Sequence, residues 1–230
     1  MVDIAANCRA VFERIGAAAT RSGRDAGAVR LLAASKSQSI EKIRAAIAAG
    51  VRLFGENYVQ EAAAKKAAAG AGIEWHMIGH LQRNKAKAAL DLFEVIESLD
   101  SAELAQALDK ESGARGRTVR ALIEVNLAGE ANKSGVAKER LLPLFEAVAA
   151  LEHLKVEGLM VVPPFSDDPE KARPYFRELA ELREKFKTLK ASNIELKELS
   201  MGMSQDYMVA IEEGATLVRV GTALFGPREK

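Results

Sequence analysis

The stretch VRLLAASKSQSIEKIRAAIAAGVRLF, residues 29–54, decides the fold. It opens on an apolar run, Val29 to Ser35, with the length and composition of a buried strand, and the run ends on Lys36. Ser39 stands where an N-cap belongs, ahead of Ile40, Ile43 and Ile47 at helical spacing. Gly50 stops that helix. Val51 to Phe54 then reads as a second strand. Two strands joined through a helix pair in parallel, with a right-handed crossover.

The unit recurs along the chain. Asn57 to Ala69 reads as a helix, with Asn57 placed to cap and Gln60 three residues on. Further strands are expected at Ile73 to Ile78, Phe93 to Ile96, Thr118 to Val125, Val156 to Val161, Glu198 to Ser200 and Leu217 to Val220. The helices between them run near Asn84 to Leu90, from a Ser101 cap to Lys110, and from Lys138 to Ala150. Another runs to Leu189 from an Asp168 cap with Pro169 at its first position, and the last from a Ser204 cap to just before Gly214. A further helix, Ile4 to Thr20, precedes the first unit and carries Ile4, Cys8, Val11, Phe12 and Ile15 on one face. Roughly eight strand–helix units predict an α/β fold, a (β/α)8 TIM barrel forming one domain over residues 1–230, with an extra N-terminal helix. An open doubly wound sheet is the alternative, but no GxGxxG follows the first strand. Pro163-Pro164 is too short to be a domain linker.

Composition narrows the function classes. The net charge of +1 gives no pull toward nucleic acid or a membrane surface. No apolar run approaches the ~20 residues of a membrane span, and MVDIAANCRAVFERIG mixes charges into its apolar residues, unlike a signal peptide. Cys8 is the single cysteine, so no intrachain disulfide forms, which fits a reducing cytoplasm. No exposed apolar stripe stands out, and a monomer is expected.

In such barrels the active site lies at the carboxyl ends of the strands. Lys36 ends the first strand. A lysine there either snorkels to water or, where desolvation or a cationic neighbour lowers its pKa, serves as an amine nucleophile for Schiff-base chemistry. LSMGMS, residues 199–204, and VRVGTA, residues 218–223, follow the last two strands, where barrels often bind phosphate. Ser200, Gly221 and Thr222 suit that role, with glycine turns as the simpler reading. Arg219 lies on the opposite face from Val218 and Val220, so it points either inward as a buried cation needing a partner or ligand, or outward to a helix carboxylate. Asn57 caps its helix or donates to an oxygen. His76 and His80 leave a strand with no Asp or Glu between them, which disfavours a metal; His80 suits a polar lining and His76 the core. The basic run RNKAK, residues 83–87, reads as a solvated face. Met160 and Asn126 end strands and could face the mouth, Met160 as core or against a ring. Residues 129–135, with Glu130, Asn132 and Lys133, form a polar loop that could act as a lid.

Together these segments resemble the pyridoxal phosphate homeostasis protein family over nearly the whole chain. The matching stretches are LLAASKSQ around Lys36, FGENYVQE around Asn57, WHMIGHLQRNK around His80, KSGV at Lys133 to Val136, GLMVVPP around Met160, LSMGMSQDY around Ser200 and VRVGTALFG around Arg219. The resemblance implies a fold like the barrel domain of alanine racemase and covalent attachment of pyridoxal 5'-phosphate (PLP) at Lys36. It implies phosphate contacts from Ser200, Gly221 and Thr222, Arg219 facing the pyridine nitrogen, and Asn57 near the phosphate end. A ring nitrogen facing an arginine stays unprotonated, which weakens the ring as an electron sink. The role implied is holding, buffering or delivering PLP, with enzymes lacking their cofactor as recipients and no robust catalysis. A two-base racemase needs an acid/base on each face of the substrate carbon, and racemases with this barrel supply one from an additional β domain. This chain ends at Lys230, eight residues beyond Thr222, so a second base is expected only within the barrel, where Tyr58 and His80 are the nearby groups. A PLP-dependent racemase or lyase is the alternative on the same site. A barrel aldolase using Lys36 without cofactor is a more distant one.

Overall fold

The computed structural model describes residues 2–130, 133–189 and 191–227. Among them, eight parallel strands form the barrel: β1 (Arg30–Ala34), β2 (Leu53–Glu56), β3 (Glu74–Met77), β4 (Val95–Leu99), β5 (Val119–Asn126), β6 (Leu154–Met160), β7 (Ile194–Ser200) and β8 (Leu217–Val220). Each strand pairs with the next in chain order. Strand β8 returns to β1, with Leu217 opposite Arg30 and Val220 opposite Ala33, which closes the sheet. A two-residue strand, Val136–Ala137, adds to the end of β5.

The intervening helices are α2 (Ile40–Ala48), α3 (Val59–Ala69), α4 (Ala86–Leu90), α5 (Ala102–Gly113), α6 (Leu141–Ala149), α7 (Arg173–Phe186) and α8 (Tyr207–Glu212), with a short α9 (Thr222–Phe225) after β8. The extra helix α1 (Ile4–Arg21) packs on α8 and α9. Its buried stripe is Ile4, Cys8, Val11, Ile15, Ala18 and Ala19. Phe12, expected on that face, is 39% exposed. The two alanines after Ile15 pull the stripe around the helix and leave Phe12 at its edge.

Three caps form as the sequence predicts: Ser39 accepts from Lys42 N, Ser101 from Leu104 N and Asp168 from Glu170 N. Two do not. Strand β2 runs on to Glu56, so α3 starts at Val59 and Asn57 makes no capping bond. Helix α8 starts at Tyr207, and Asp206 takes the turn before it by accepting from Met203 N at 2.6 Å. The Ser204 hydroxyl serves a different element, described below.

Inside the barrel, Leu32, Leu53 and Leu217 form one apolar cluster, and Val95, Leu122 and Met160 another. A side chain on Gly55 would collide with Leu32 and Ile78, so its absence lets this interior close. At the amino-terminal end, Arg30 bridges Glu74 and Glu198, Arg120 bridges Glu74 and Glu157, and Lys155 bridges Glu157 and Glu195. This charged ring seals one end and leaves chemistry to the other.

Candidate functional site

Alternation along β1 puts Leu32, which is in the interior cluster, and Ala34 on one face. Lys36 follows two residues beyond the strand, in the turn at its carboxyl end, half-buried. Register places β8 alongside: Leu32 is opposite Arg219 and Ala33 opposite Val220. Gly221 follows, so close to β1 that a Cβ on it would lie 3.3 Å from the Ala34 carbonyl oxygen. The backbone N–H groups of Gly221 and Ala223 converge on the Ser204 hydroxyl oxygen, at 3.1 and 3.2 Å. Two amides converging on one oxygen is the arrangement by which backbone N–H groups also bind anions, and here Ser204 fills it. Thr222 stands exposed beside it.

Arg219 points inward and is 4% exposed. It donates to the Ser200 hydroxyl at 2.7 Å and the Val161 carbonyl at 2.8 Å. Burial lowers its pKa, while Glu97, Glu124 and Asp206 counter with negative charge; an arginine stays protonated regardless. The Ser200 hydroxyl, expected to donate to a phosphate, is turned into the barrel and donates to Glu97 Oε2 at 2.5 Å. Glu97 Oε1 accepts from His76 Nδ1, also at 2.5 Å. His76 Nε2 lies 3.3 Å from Glu74 Oε1 without the alignment of a hydrogen bond. A column of alternating charge thus runs through the interior from the sealed end, Glu74, His76, Glu97, Ser200, Arg219.

The column explains its own protonation. Burial pushes His76 down, but its carboxylate neighbours Glu74 and Glu97 outweigh that and raise its pKa. Burial pushes Glu97 up, yet His76, Arg219 and Ser200 hold it below the ordinary carboxylate range. The contact with His76 and the pairing with Arg120 hold Glu74 at about 2 against the upward push of burial. Glu124 differs. It lies level with Met160 in the register, and burial lifts it to about 7, with Asp100 and Glu97 adding to the rise and Arg219 opposing.

The remaining expected residues fall in two places. Met160 is fully buried against Val95 and Leu122, level with Ser200. Asn57 and His80 line a cleft of about 550 Å³ between the loops after β2 and β3, with Tyr58, Gln82 and Lys85. His80 is exposed at that rim, 3.3 Å from Asp100. The Asn57 side-chain oxygen is buried without a hydrogen-bond partner, and any side chain at Gly79 would strike the Asn57 backbone. Asn126 folds the next loop back through bonds to the Glu130 and Lys133 carbonyls; Asn132, expected in the lid, lies outside the described residues. No group of three metal-ligating side chains occurs among the described residues, and no helix of the described residues is long and apolar enough to cross a membrane.

Sequence reasoning passed over Glu97 and Glu124. The signal was present: each is a lone carboxylate inside an apolar strand, VIESL and ALIEVN, on the face that alternation turns inward.

The profile of the alanine racemase N-terminal domain matches residues 6–229. The pyridoxal phosphate homeostasis protein of Aquifex aeolicus is 46% identical over 220 residues, covering 95% of this chain and 96% of that one. A protein of Bifidobacterium adolescentis, described as unknown, superposes with a TM-score of 0.91 at 38% identity, covering 97% of this chain and 94% of that one. PipY of Synechococcus elongatus, solved with PLP bound, superposes with a TM-score of 0.82 at 37% identity, covering 94% of this chain and 100% of that one. On full-length identity and a shared closed barrel, the chain belongs to the pyridoxal phosphate homeostasis protein family.

Proposed function

We propose that this protein binds PLP at the barrel mouth, covalently through Lys36, and serves the homeostasis of that cofactor by holding, buffering and delivering it. The observation that supports the reading is the pairing of β1 with β8, which brings the strand leading to Lys36 alongside Arg219 and sets the Gly221 turn against Ala34. When bound, the cofactor would supply an aldehyde carbon, and Lys36 is the residue that would hold it covalently. The residues present fit the group. The converging N–H groups of Gly221 and Ala223, with Thr222 beside them, suit its phosphate, and Ser204 would yield that place. Ser200 contributes through Arg219, which it helps to orient toward the ring nitrogen. Met160 gives an apolar wall level with Ser200, and Asn57, whose side-chain oxygen has no hydrogen-bond partner, lines the cleft after β2 and β3 with the rim residue His80.

The relatives carry the name of homeostasis proteins, and Arg219 beside a pyridine ring favours holding over reacting. The recipients in this reading are PLP-dependent enzymes that lack their cofactor. The protein acts as a monomer in the cytoplasm, where its single, buried Cys8 stays reduced.

The test is direct. Incubation with PLP should turn the protein yellow, and borohydride followed by peptide mapping should place a pyridoxyl group on Lys36. A colourless protein, or a label that avoids Lys36, refutes the assignment. The racemase or lyase alternative gains one observation, Glu124 as a carboxyl poised at about 7 inside the mouth. Steady α-proton exchange of any amino acid in heavy water would favour it, and none across a broad panel would dismiss it.

A further inference from the structure

We propose that Glu61 and Lys65, one turn apart on α3, are positioning residues that fix the backbone of Lys36 from outside the barrel. This rests on the reading of Lys36 as the attachment point. The Lys65 ammonium is buried and donates to the Ser35 carbonyl at 2.8 Å. Glu61 Oε2 accepts from the Ser37 N–H at 3.0 Å. These are the carbonyl of the peptide before Lys36 and the amide of the peptide after it. Fixing both peptide planes sets both backbone torsions of Lys36, and with them the direction of its Cα–Cβ bond.

The clamp is itself well held. Lys65 also donates to Glu56 Oε1 at 2.8 Å and to Glu61 Oε2 at 3.3 Å, and Ser35 Oγ donates to Glu56 Oε1 at 2.6 Å. The Ser37 N–H, then Lys65 and Lys36, hold the Glu61 carboxyl below its ordinary range against the push of burial, so it accepts as the anion. The turn needs such a hold. Gln38 N donates to the Ser35 carbonyl at 3.0 Å, which makes Lys36 and Ser37 the central pair of a four-residue turn. Ser37 sits there at φ 58°, and it is the one non-glycine residue with positive φ among the described residues. A turn with positive φ at its third position ordinarily takes glycine. With serine there, the peptide between Lys36 and Ser37 is biased to rotate, and Glu61 opposes that rotation through the N–H of this peptide.

The experiment uses the full chain with Glu61→Ala and Glu61→Gln, PLP as the probe, and two readouts. One is the rate of covalent labelling at Lys36, followed by absorbance and by borohydride trapping. The other is amide exchange of the peptide spanning Ser35 to Gln38 without PLP. The Glu61 side chain is 35% exposed, so both variants are expected to fold, with thermal midpoints near wild type. Glu61→Ala should label about tenfold slower or more, the worth of one hydrogen bond to a charged group, and exchange faster at Ser37. Glu61→Gln keeps an oxygen for the Ser37 N–H and should recover most of the rate. Ser37→Gly added to Glu61→Ala should also restore it, because glycine accepts the positive φ unaided. A Glu61→Ala protein that labels as fast as wild type overturns the positioning role. So does a Glu61→Gln protein as slow as Glu61→Ala with unchanged exchange, since charge alone would then be at work. A wild type that takes no label on Lys36 fails earlier, and overturns the attachment reading together with the clamp.

Discussion

Replacing Glu97 by glutamine puts the buried column to its severest trial. Glu97 is fully buried and makes two bonds of 2.5 Å, one to His76 and one to Ser200, with Arg219 just beyond. Glutamine keeps the shape and one acceptor oxygen. Its amide then points a donor at either the His76 N–H or the Ser200 hydroxyl, and the anion between two cations is gone. Breaking a buried charged pair typically costs about 3–5 kcal/mol. His76 can release its proton and Ser200 can turn, so the lower end, about 3 kcal/mol, is expected at pH 7. Urea unfolding should show a lower midpoint with an unchanged slope. The pH dependence is fixed in sign. The Glu97 carboxyl is held below its ordinary value, so its contribution is present above the unfolded range and lost as pH falls through the folded value. His76 is raised, so its contribution is present below its unfolded value and lost as pH rises through its folded value. Wild type and variant should therefore converge in acid. Combined with His76→Gln, the two losses should fall short of additivity by about 1–3 kcal/mol. A loss under about 1 kcal/mol, or strict additivity, would refute the column as a coupled unit.

Three other outcomes are expected. The Glu124 carboxyl, raised to about 7, binds a proton in the fold that the unfolded chain has released, so stability falls as pH rises from about 4.5 to 7. Glu124→Gln should then gain up to about 3 kcal/mol over wild type at pH 8 and little at pH 4, read by urea unfolding at both. Gly221→Val should weaken PLP binding about tenfold or more in an absorbance titration, because its Cβ would press on the Ala34 carbonyl and shift the turn. On α1, Val11→Ala should cost roughly 2 kcal/mol; Phe12→Ser should stay within about 0.5 kcal/mol, and equal losses would contradict the stripe of buried residues.

Much of this was legible from residues alone. Periodicity gave the barrel because parallel strands buried on both faces read as short apolar runs, and Leu217–Val220 was found to the residue. Alternation offered the inward Arg219, and the strand end placed Lys36. The misreadings share a cause. Strand β7 begins at Ile194, four residues before the expected Glu198, because its charged residues face the sealed end and mask a strand as a polar segment. Asn57 and Ser204 looked like caps because cap chemistry is local, while the start of α3 is set by how far β2 extends and the Ser204 hydroxyl is taken by the Gly221 turn. Glu61 and Lys65 carry no mark in the sequence beyond their helical spacing. Only the packing of α3 against the Lys36 turn shows what they grip.

The pairing of β8 with β1 has a consequence for how the protein comes to be. It joins segments far apart in sequence, and such non-local contacts form late. A growing chain displays Lys36 long before Gly221 has been made. Until β8 docks, neither Arg219 nor the Gly221 turn has joined β1. On the reading proposed above, the full binding site for the cofactor is assembled only at closure, and half-made copies offer the lysine without the rest of it.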